Sequence, residues 1–221
     1  MEKNQKALNL IIDQGMLPLF YHSDRMVCAE VLKALYRAGI RAVEFTNRGE
    51  AAVDNFLYLR GIVENEMEGM LLGVGTIKNK VHATEFVNEG ADFIISPGLV
   101  EDVADIASRN DVLWVPGCMT ATEIIQAEEM GATLVKLFPG SLLGPSYVKA
   151  IREIFPDLYF MPTGGVEVTD ENLGAWFRSG VSVVGLGSNL ISKDILERGD
   201  YSSLETVARK SIEMVNRVRS F

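Results

Sequence analysis

Residues that bind metals or form disulfide bridges are scarce in this sequence of 221 residues. The two cysteines, Cys28 and Cys118, lie far apart and outside any CxxC spacing, which is typical of a protein from a reducing compartment. The two histidines, His22 and His82, have no second ligand at helical or strand spacing and form no recognisable catalytic triad. We therefore expect no disulfide framework and no metal site. We interpret His82 as a surface residue of a predicted helix, whereas His22 follows the first predicted strand and could line a pocket there.

Positive charge and long apolar segments are also scarce. The 21 lysines and arginines are outnumbered by 30 acidic residues, so the net charge of −9 argues against a nucleic-acid surface. No apolar run approaches the roughly 20 residues that span a bilayer, and the N-terminus is too polar for a signal peptide. Glycine and proline are scattered, so no linker divides the chain. These patterns predict a single domain over residues 1–221 of a cytoplasmic protein, without nucleic-acid or membrane partners.

Short apolar segments alternate with amphipathic segments, a pattern typical of parallel strands covered by helices. A helix over residues 3–14 precedes eight strands in strict β-α order. Because no GxGxxG motif follows the first strand, an open dinucleotide-binding sheet is disfavoured. We predict an α/β fold that is a single closed (β/α)8 TIM barrel with an extra N-terminal helix, and chemistry at the carboxyl ends of its strands. The predicted strands cover residues 16–21, 40–46, 70–76, 92–96, 112–117, 134–138, 158–163 and 181–187.

One lysine lies within an apolar strand. Lys136 is flanked by Val135 and Leu137, so alternation directs its side chain to the face opposite those neighbours. Burying an ammonium is costly, and burial therefore favours the neutral amine, which attacks carbonyl carbons. Taken alone, the segment would also fit a strand-end lysine that reaches solvent.

The second strand contains a glutamate, Glu44, on the face opposite its apolar neighbours. Val43 and Phe45 suit the side that packs against helices, so we predict that Glu44 points into the barrel. A buried carboxylate needs a partner, and Lys136 is the natural one, either in a structural ion pair or in a catalytic pair. Arg48 follows at the rim, where a guanidinium can bind a carboxylate through two hydrogen bonds.

Glycines and hydroxyl groups follow three further strands. The third strand ends in Gly-Val-Gly and Thr76, where the glycines permit close backbone approach. Glycines after strands seven and eight expose backbone N–H groups at the place where barrels commonly bind a phosphate, although each could be an ordinary turn glycine. The residues at these two strand ends are Thr163, Gly164, Gly165, Gly187 and Ser188.

Taken together, these motifs resemble the 2-dehydro-3-deoxyphosphogluconate (KDPG) and 4-hydroxy-2-oxoglutarate (KHG) aldolases. The resemblance extends from about Pro18 to Leu190, in order and with matching spacing. Several motifs on separate strands make it more specific than any single one. The motifs lie at residues 43–48 (VEFTNR), 73–76 (GVGT), 95–98 (ISPG), 116–117 (PG), 136–139 (KLFP) and 162–165 (PTGG).

The resemblance implies a class I aldolase on a (β/α)8 barrel that is usually a homotrimer and needs no metal or other cofactor. Lys136 would form a Schiff base with pyruvate, and Glu44 would be the general acid/base. Arg48 and Thr76 would bind the pyruvate carboxylate. The phosphate of the aldehyde half would be bound by Thr163, Gly164, Gly165, Gly187 and Ser188.

The substrate implied by the resemblance is the phosphate of a 2-keto-3-deoxy sugar acid. KDPG would be cleaved to pyruvate and glyceraldehyde 3-phosphate, and KHG to pyruvate and glyoxylate. The family often has other residues where this chain has Asn47, Gly49, Gly140, Leu186 and the segment 20–24. These departures leave the imine chemistry intact and leave the aldehyde half open, including the 6-phosphogalactonate stereoisomer.

Two other classes of function remain open from the residues alone. In a phosphosugar isomerase, Lys136 and Glu44 would transfer protons as an ion pair and no imine would form. A non-catalytic barrel would bind a phosphosugar without turnover.

Overall fold

Apolar strands alternate with helices along the computed structural model, which describes residues 2–219. The predicted domain also included residues 1, 220 and 221, which lie outside this described part. The strands are β1 (Met16–Phe20), β2 (Ala42–Thr46), β3 (Leu71–Gly75), β4 (Phe93–Ile95), β5 (Leu113–Val115), β6 (Gly117–Cys118), β7 (Leu134–Leu137), β8 (Tyr159–Pro162) and β9 (Val184–Leu186). The helices are α1 (Lys3–Gln14), α2 (Arg25–Arg37), α3 (Ala52–Glu66), α4 (Lys80–Asn88), α5 (Glu101–Arg109), α6 (Ala121–Glu129), α7 (Gly140–Ile151), α8 (Asp170–Arg178), α9 (Lys193–Arg198) and α10 (Tyr201–Arg219). Within the described range, no helix is long and apolar enough to cross a membrane.

All the strand pairs are parallel, and the strands form a curled α/β arrangement of two adjoining sheets. One sheet has the order β5-β4-β3-β2-β1-β9 and the other the order β6-β7-β8. Pro116 alone separates β5 from β6, because a proline has no N–H to donate to a neighbouring strand. The fifth predicted strand is therefore two strands. On the other side, a single bridge between Thr163 and Gly185 connects the end of β8 to β9.

Alternate residues of the strands enter two different hydrophobic clusters. Ala42 and Leu134 belong to an interior cluster, whereas Phe45 packs in the larger cluster between strands and helices. Since side chains alternate, Glu44 and Lys136 lie on the interior face, two residues beyond Ala42 and Leu134. The predicted orientation of both is therefore confirmed. The interior cluster draws on both sheets and on α1: Ala7, Leu8, Ile11, Leu17, Ala42, Phe93, Ile95, Leu113, Val115, Leu134, Met161 and Val183.

Helix α1 packs at the amino ends of the strands. The Gln14 side chain donates hydrogen bonds to the carbonyls of Met16 (2.6 Å) and Ala42 (3.0 Å), at the starts of β1 and β2. At the other end of the helix, the Lys3 N–H donates to the Asp111 carboxylate (2.7 Å), two residues before β5. Because α1 covers the amino ends, the carboxyl ends remain open for a site.

Two helices differ from those that the sequence pattern predicts, namely a helix over residues 147–155 after the lysine strand and none between residues 188 and 202. Helix α7 begins at Gly140, directly after the lysine strand, and is interrupted at Gly144, whose φ of 71° is not helical. The short helix α9 lies in a segment for which no helix was predicted, because its 6 residues are too few to show helical periodicity.

Candidate active site

Lys136 and Glu44 meet in the interior at the carboxyl side of the strands. Their side chains come from β7 and β2, and the Lys136 Nζ lies 4.0 Å from a Glu44 carboxylate oxygen. The Lys136 side chain is 7% exposed and that of Glu44 is fully buried. Neither carboxylate oxygen of Glu44 has a hydrogen-bond partner within residues 2–219. The pair is therefore an ion pair without a direct hydrogen bond, which leaves both groups able to contact a third one.

Burial raises the pKa of Glu44 above its ordinary value of 4.5, against the opposing effects of Lys136 and Arg48. The two cations favour the charged carboxylate, but the loss of water around a fully buried group is the larger effect. A carboxyl group with a raised pKa can both accept and return a proton nearer neutral pH, as a general acid/base requires.

Glycines in β3 make room for Glu44. A β-carbon added at Gly75 would overlap the Glu44 carboxylate, and one added at Gly73 would overlap the Phe93 ring. Both glycines are paired with β2 in parallel register, Gly73 opposite Glu44 itself. Gly75 is thus required by the close packing of the Glu44 carboxylate, and Gly73 by the close packing of the Phe93 ring.

We expect Gly75→Ala to displace the Glu44 side chain and destabilise the fold by about 1–3 kcal/mol, the usual cost of overpacking a core. Chemical unfolding, with turnover measured on the folded variant, would check this. Gly98→Ala is the matched control, because a β-carbon at this strand-end glycine meets no atom within 4 Å. Equal stability of the two variants would contradict the packing argument.

A cavity of about 280 Å³ opens at the carboxyl ends of the strands, and neither Lys136 nor Glu44 is among the described residues that line it. Among the described residues that line it, Arg48 is the only cation. Six of the nine predicted site residues come together here, namely Arg48, Thr163, Gly164, Gly165, Gly187 and Ser188. The phosphate-binding loops predicted from the sequence therefore face a single space, and Arg48 shares it.

Phe138 connects this cavity to the lysine. Its ring lines the cavity, and the Lys136 Nζ lies 5.3 Å from the ring centroid. Thr163 also lines the cavity, and its buried hydroxyl has no hydrogen-bond partner in the described chain. A β-carbon at Gly185 would overlap that hydroxyl, so the glycine of β9 leaves space for it.

Thr76 does not line the cavity, although it was predicted to bind the same carboxylate as Arg48. It follows β3 directly, with a φ of 64°, a left-handed conformation that is uncommon for a β-branched residue. Strained residues of this kind concentrate at functional sites. Thr76 thus directly follows Gly75, the glycine that packs against the Glu44 carboxylate, and it does not line the cavity that the phosphate loops share.

One of the two histidines occupies a position that differs from the one expected. His22 does not line the cavity; its Nδ1 accepts a hydrogen bond from the Asp24 N–H (3.0 Å), next to the start of α2. His82 lies within α4 and is partly exposed, in keeping with the predicted surface position, and its Nδ1 lies 3.1 Å from the Asn47 side-chain amide. This contact joins α4 to the segment between Glu44 and Arg48. Sequence spacing does not reveal it, because the two residues lie on different elements.

The cysteines are unsuited to nucleophilic chemistry. Both are buried, and burial raises the pKa of Cys28 to about 11 and that of Cys118 to about 12. Thiols with such pKa values remain protonated near neutral pH and are poor nucleophiles. No group of three or more potential metal ligands occurs among residues 2–219.

Of the nine cavity residues that were not predicted from the sequence, three lie just beyond strand ends: Tyr21, Phe138 and Asn189. Each follows a strand by one to three residues, which is the position that predicts a site residue in this architecture. Tyr21 and Phe138 were assigned to predicted strands, and Asn189 came directly after the predicted phosphate loop.

The family described as "Aldolase: KDPG and KHG aldolase" matches residues 10–207 of this chain. A 2-dehydro-3-deoxy-phosphogluconate aldolase of Pseudoalteromonas atlantica is 32% identical over 217 residues, covering 96% of this chain and 97% of the relative. A KHG/KDPG aldolase of Escherichia coli K12 is 35% identical over 184 residues, covering 82% of this chain and 83% of the relative.

The fold is also similar to that of a solved structure. The crystal structure of a 4-hydroxy-2-oxoglutarate/2-dehydro-3-deoxyphosphogluconate aldolase from TTHB1 aligns with a TM-score of 0.79 and 29% sequence identity. The alignment covers 95% of this chain and 98% of that one.

Proposed function

The chain belongs to the KDPG and KHG aldolase family, as its motifs predicted, and on this premise we propose that it cleaves KDPG to pyruvate and glyceraldehyde 3-phosphate. Cleavage of KHG to pyruvate and glyoxylate is a second reaction of the same site. The observation that carries this proposal is the buried amine of Lys136 held 4.0 Å from the buried carboxyl group of Glu44. Phe138 links the amine to the cavity, in which Arg48 is the only cation among the described lining residues.

In the proposed mechanism the Lys136 amine attacks C2 of the keto acid, and loss of water gives a protonated imine. Glu44 then accepts the proton of the C4 hydroxyl as the C3–C4 bond breaks. The bonding electrons move into the imine, so an enamine forms and the aldehyde half leaves. Glu44 returns its proton to C3, and water releases pyruvate and regenerates the free lysine.

The remaining predicted residues bind the two ends of the substrate in this proposal. Arg48 and Thr76 bind the pyruvate carboxylate, which is supported by the position of Arg48 in the cavity and its electrostatic effect on Glu44. The phosphate is bound by backbone amides and hydroxyls of Thr163, Gly164, Gly165, Gly187 and Ser188, all of which line the same cavity.

We propose that residues 1–221 form one domain and that the two sheets form one closed (β/α)8 barrel, with α1 as the extra helix. The short break at Pro116 and the bridge between Thr163 and Gly185 support this closure. A homotrimer in the cytoplasm is proposed from the family resemblance. Sedimentation equilibrium would test the trimer against the 24.3 kDa mass of one chain.

Trapping of the imine tests the proposed function. We expect incubation with pyruvate and sodium borohydride to add a reduced pyruvyl group, and peptide mapping to place it on Lys136. Intact-mass spectrometry would detect the adduct. A folded protein that forms no adduct would contradict the aldolase and favour an isomerase, whose ion pair forms no imine, or a binding protein.

A further inference from the structure

Tyr21 lies between the two ends of the proposed substrate site. It directly follows β1, the strand that pairs with β9 on one side and with β2 on the other. Strand β9 leads to Ser188 in the predicted phosphate loop, and β2 leads to Arg48. All three residues line the same cavity. A substrate that reaches from Arg48 to the phosphate loop therefore has its middle carbons opposite Tyr21.

The ring of Tyr21 is held by packing. It lies against Phe45, with ring centroids 5.7 Å apart and planes inclined at 47°. The outer end of the ring covers Gly49, where an added β-carbon would overlap the hydroxyl and lie 2.9 Å from Cζ. The glycine is therefore required for this ring position. Within residues 2–219 the Tyr21 hydroxyl makes no hydrogen bond, so it can donate one to a ligand in the cavity.

We propose that Tyr21 is a specificity-determining residue, whose hydroxyl binds a hydroxyl group of the aldehyde half of the substrate. This inference rests on the proposed function. The gluconate and galactonate forms of the substrate differ in configuration at C4, between the carboxylate and the phosphate. A fixed phenol at this position hydrogen-bonds one epimer better than the other, because a polar group left without its partner is penalised.

The test compares the wild type with Tyr21→Phe on both epimers. We expect kcat/KM for the preferred epimer to fall by about 2–12-fold, the usual effect of losing one neutral hydrogen bond. The kcat/KM for the other epimer is expected to fall by a smaller factor, so that the ratio of the two kcat/KM values moves closer to one. An unchanged preference would overturn the proposal, whether both epimers lost activity equally or neither did.

A substrate without phosphate separates the two ends of the aldehyde half. If Tyr21 binds a hydroxyl group of the carbon chain, Tyr21→Phe also lowers kcat/KM for unphosphorylated 2-keto-3-deoxygluconate. If the loss disappears with this compound, Tyr21 binds the phosphate and the proposal is overturned. The yield of the pyruvate–borohydride adduct reports the imine chemistry separately, since pyruvate has no aldehyde half. Absence of that adduct in the wild type would instead overturn the proposed function.

Gly49→Ala provides a second variant that keeps the phenol but displaces it. We expect the same narrowing of the epimer preference as for Tyr21→Phe. In the double variant the two effects are expected to be less than additive, because each removes the same contact. Fully additive effects would show that Tyr21 and Gly49 act independently and would overturn the proposal.

Discussion

Replacing Lys136 with methionine is expected to abolish imine formation and to lower kcat/KM for KDPG by on the order of 10⁵–10⁶-fold, the scale of losing a covalent nucleophile. Methionine has a similar length and no amine, so neither a carbinolamine nor an imine can form. The measurement combines a coupled pyruvate assay with mass spectrometry after borohydride treatment. Because no lysine is among the described residues that line the cavity, no other lysine is expected to take its place.

The matched control is Lys149→Met, which removes an exposed lysine of α7. It is expected to retain both the adduct and turnover. Removing Lys136 also leaves the buried Glu44 without its nearest cation, which can cost about 3–5 kcal/mol when the remaining group stays charged. The double variant Lys136→Met/Glu44→Gln avoids the cost of a buried unpaired charge. Circular dichroism of the single and the double variant would establish that they fold. An adduct that persists in folded Lys136→Met would exclude Lys136 as the nucleophile.

Replacing Glu44 with glutamine is expected to slow turnover by about 10²–10⁴-fold, the usual contribution of a general acid/base. Glutamine keeps the shape of the side chain, but its amide cannot accept and return the proton of the C4 hydroxyl. Borohydride is still expected to label Lys136 with pyruvate during long incubation, because the amine is unchanged. Undiminished turnover would remove Glu44 from the mechanism.

The same substitution tests the electrostatics of the buried carboxyl group. Because its pKa is raised on folding, the folded chain binds more protons than the unfolded chain above pH 4.5. The free energy of unfolding contributed by Glu44 therefore falls as the pH rises from 4.5 through the raised pKa. Glutamine does not titrate, so the stability of Glu44→Gln relative to wild type is expected to increase over this pH range. Urea unfolding at pH 4.5 and pH 7 would measure it, and a constant difference would contradict the raised pKa.

Much of the candidate site follows from the order of residues alone. Side chains alternate along a strand, so the apolar neighbours of Lys136 and Glu44 already predict which way both point. Parallel strands joined by helices place their carboxyl ends at one edge, which brings the motifs after different strands together. The interior positions of Lys136 and Glu44 and the shared cavity of the glycine loops were predicted for these local reasons. The family was identified from the same strand-end motifs.

Contacts between elements that are distant in sequence required the tertiary structure. The 4.0 Å separation of Lys136 and Glu44 depends on the curvature of the sheets, which no local pattern specifies. The contact of His82 with Asn47, which joins α4 to the loop after β2, was not predicted, because the two residues lie on different elements. The position of Tyr21 in the site was not predicted, because its ring occupies the space left by the missing side chain of Gly49. Alternation and strand order determine which face a residue occupies, whereas the fit between side chains across strands depends on three-dimensional packing.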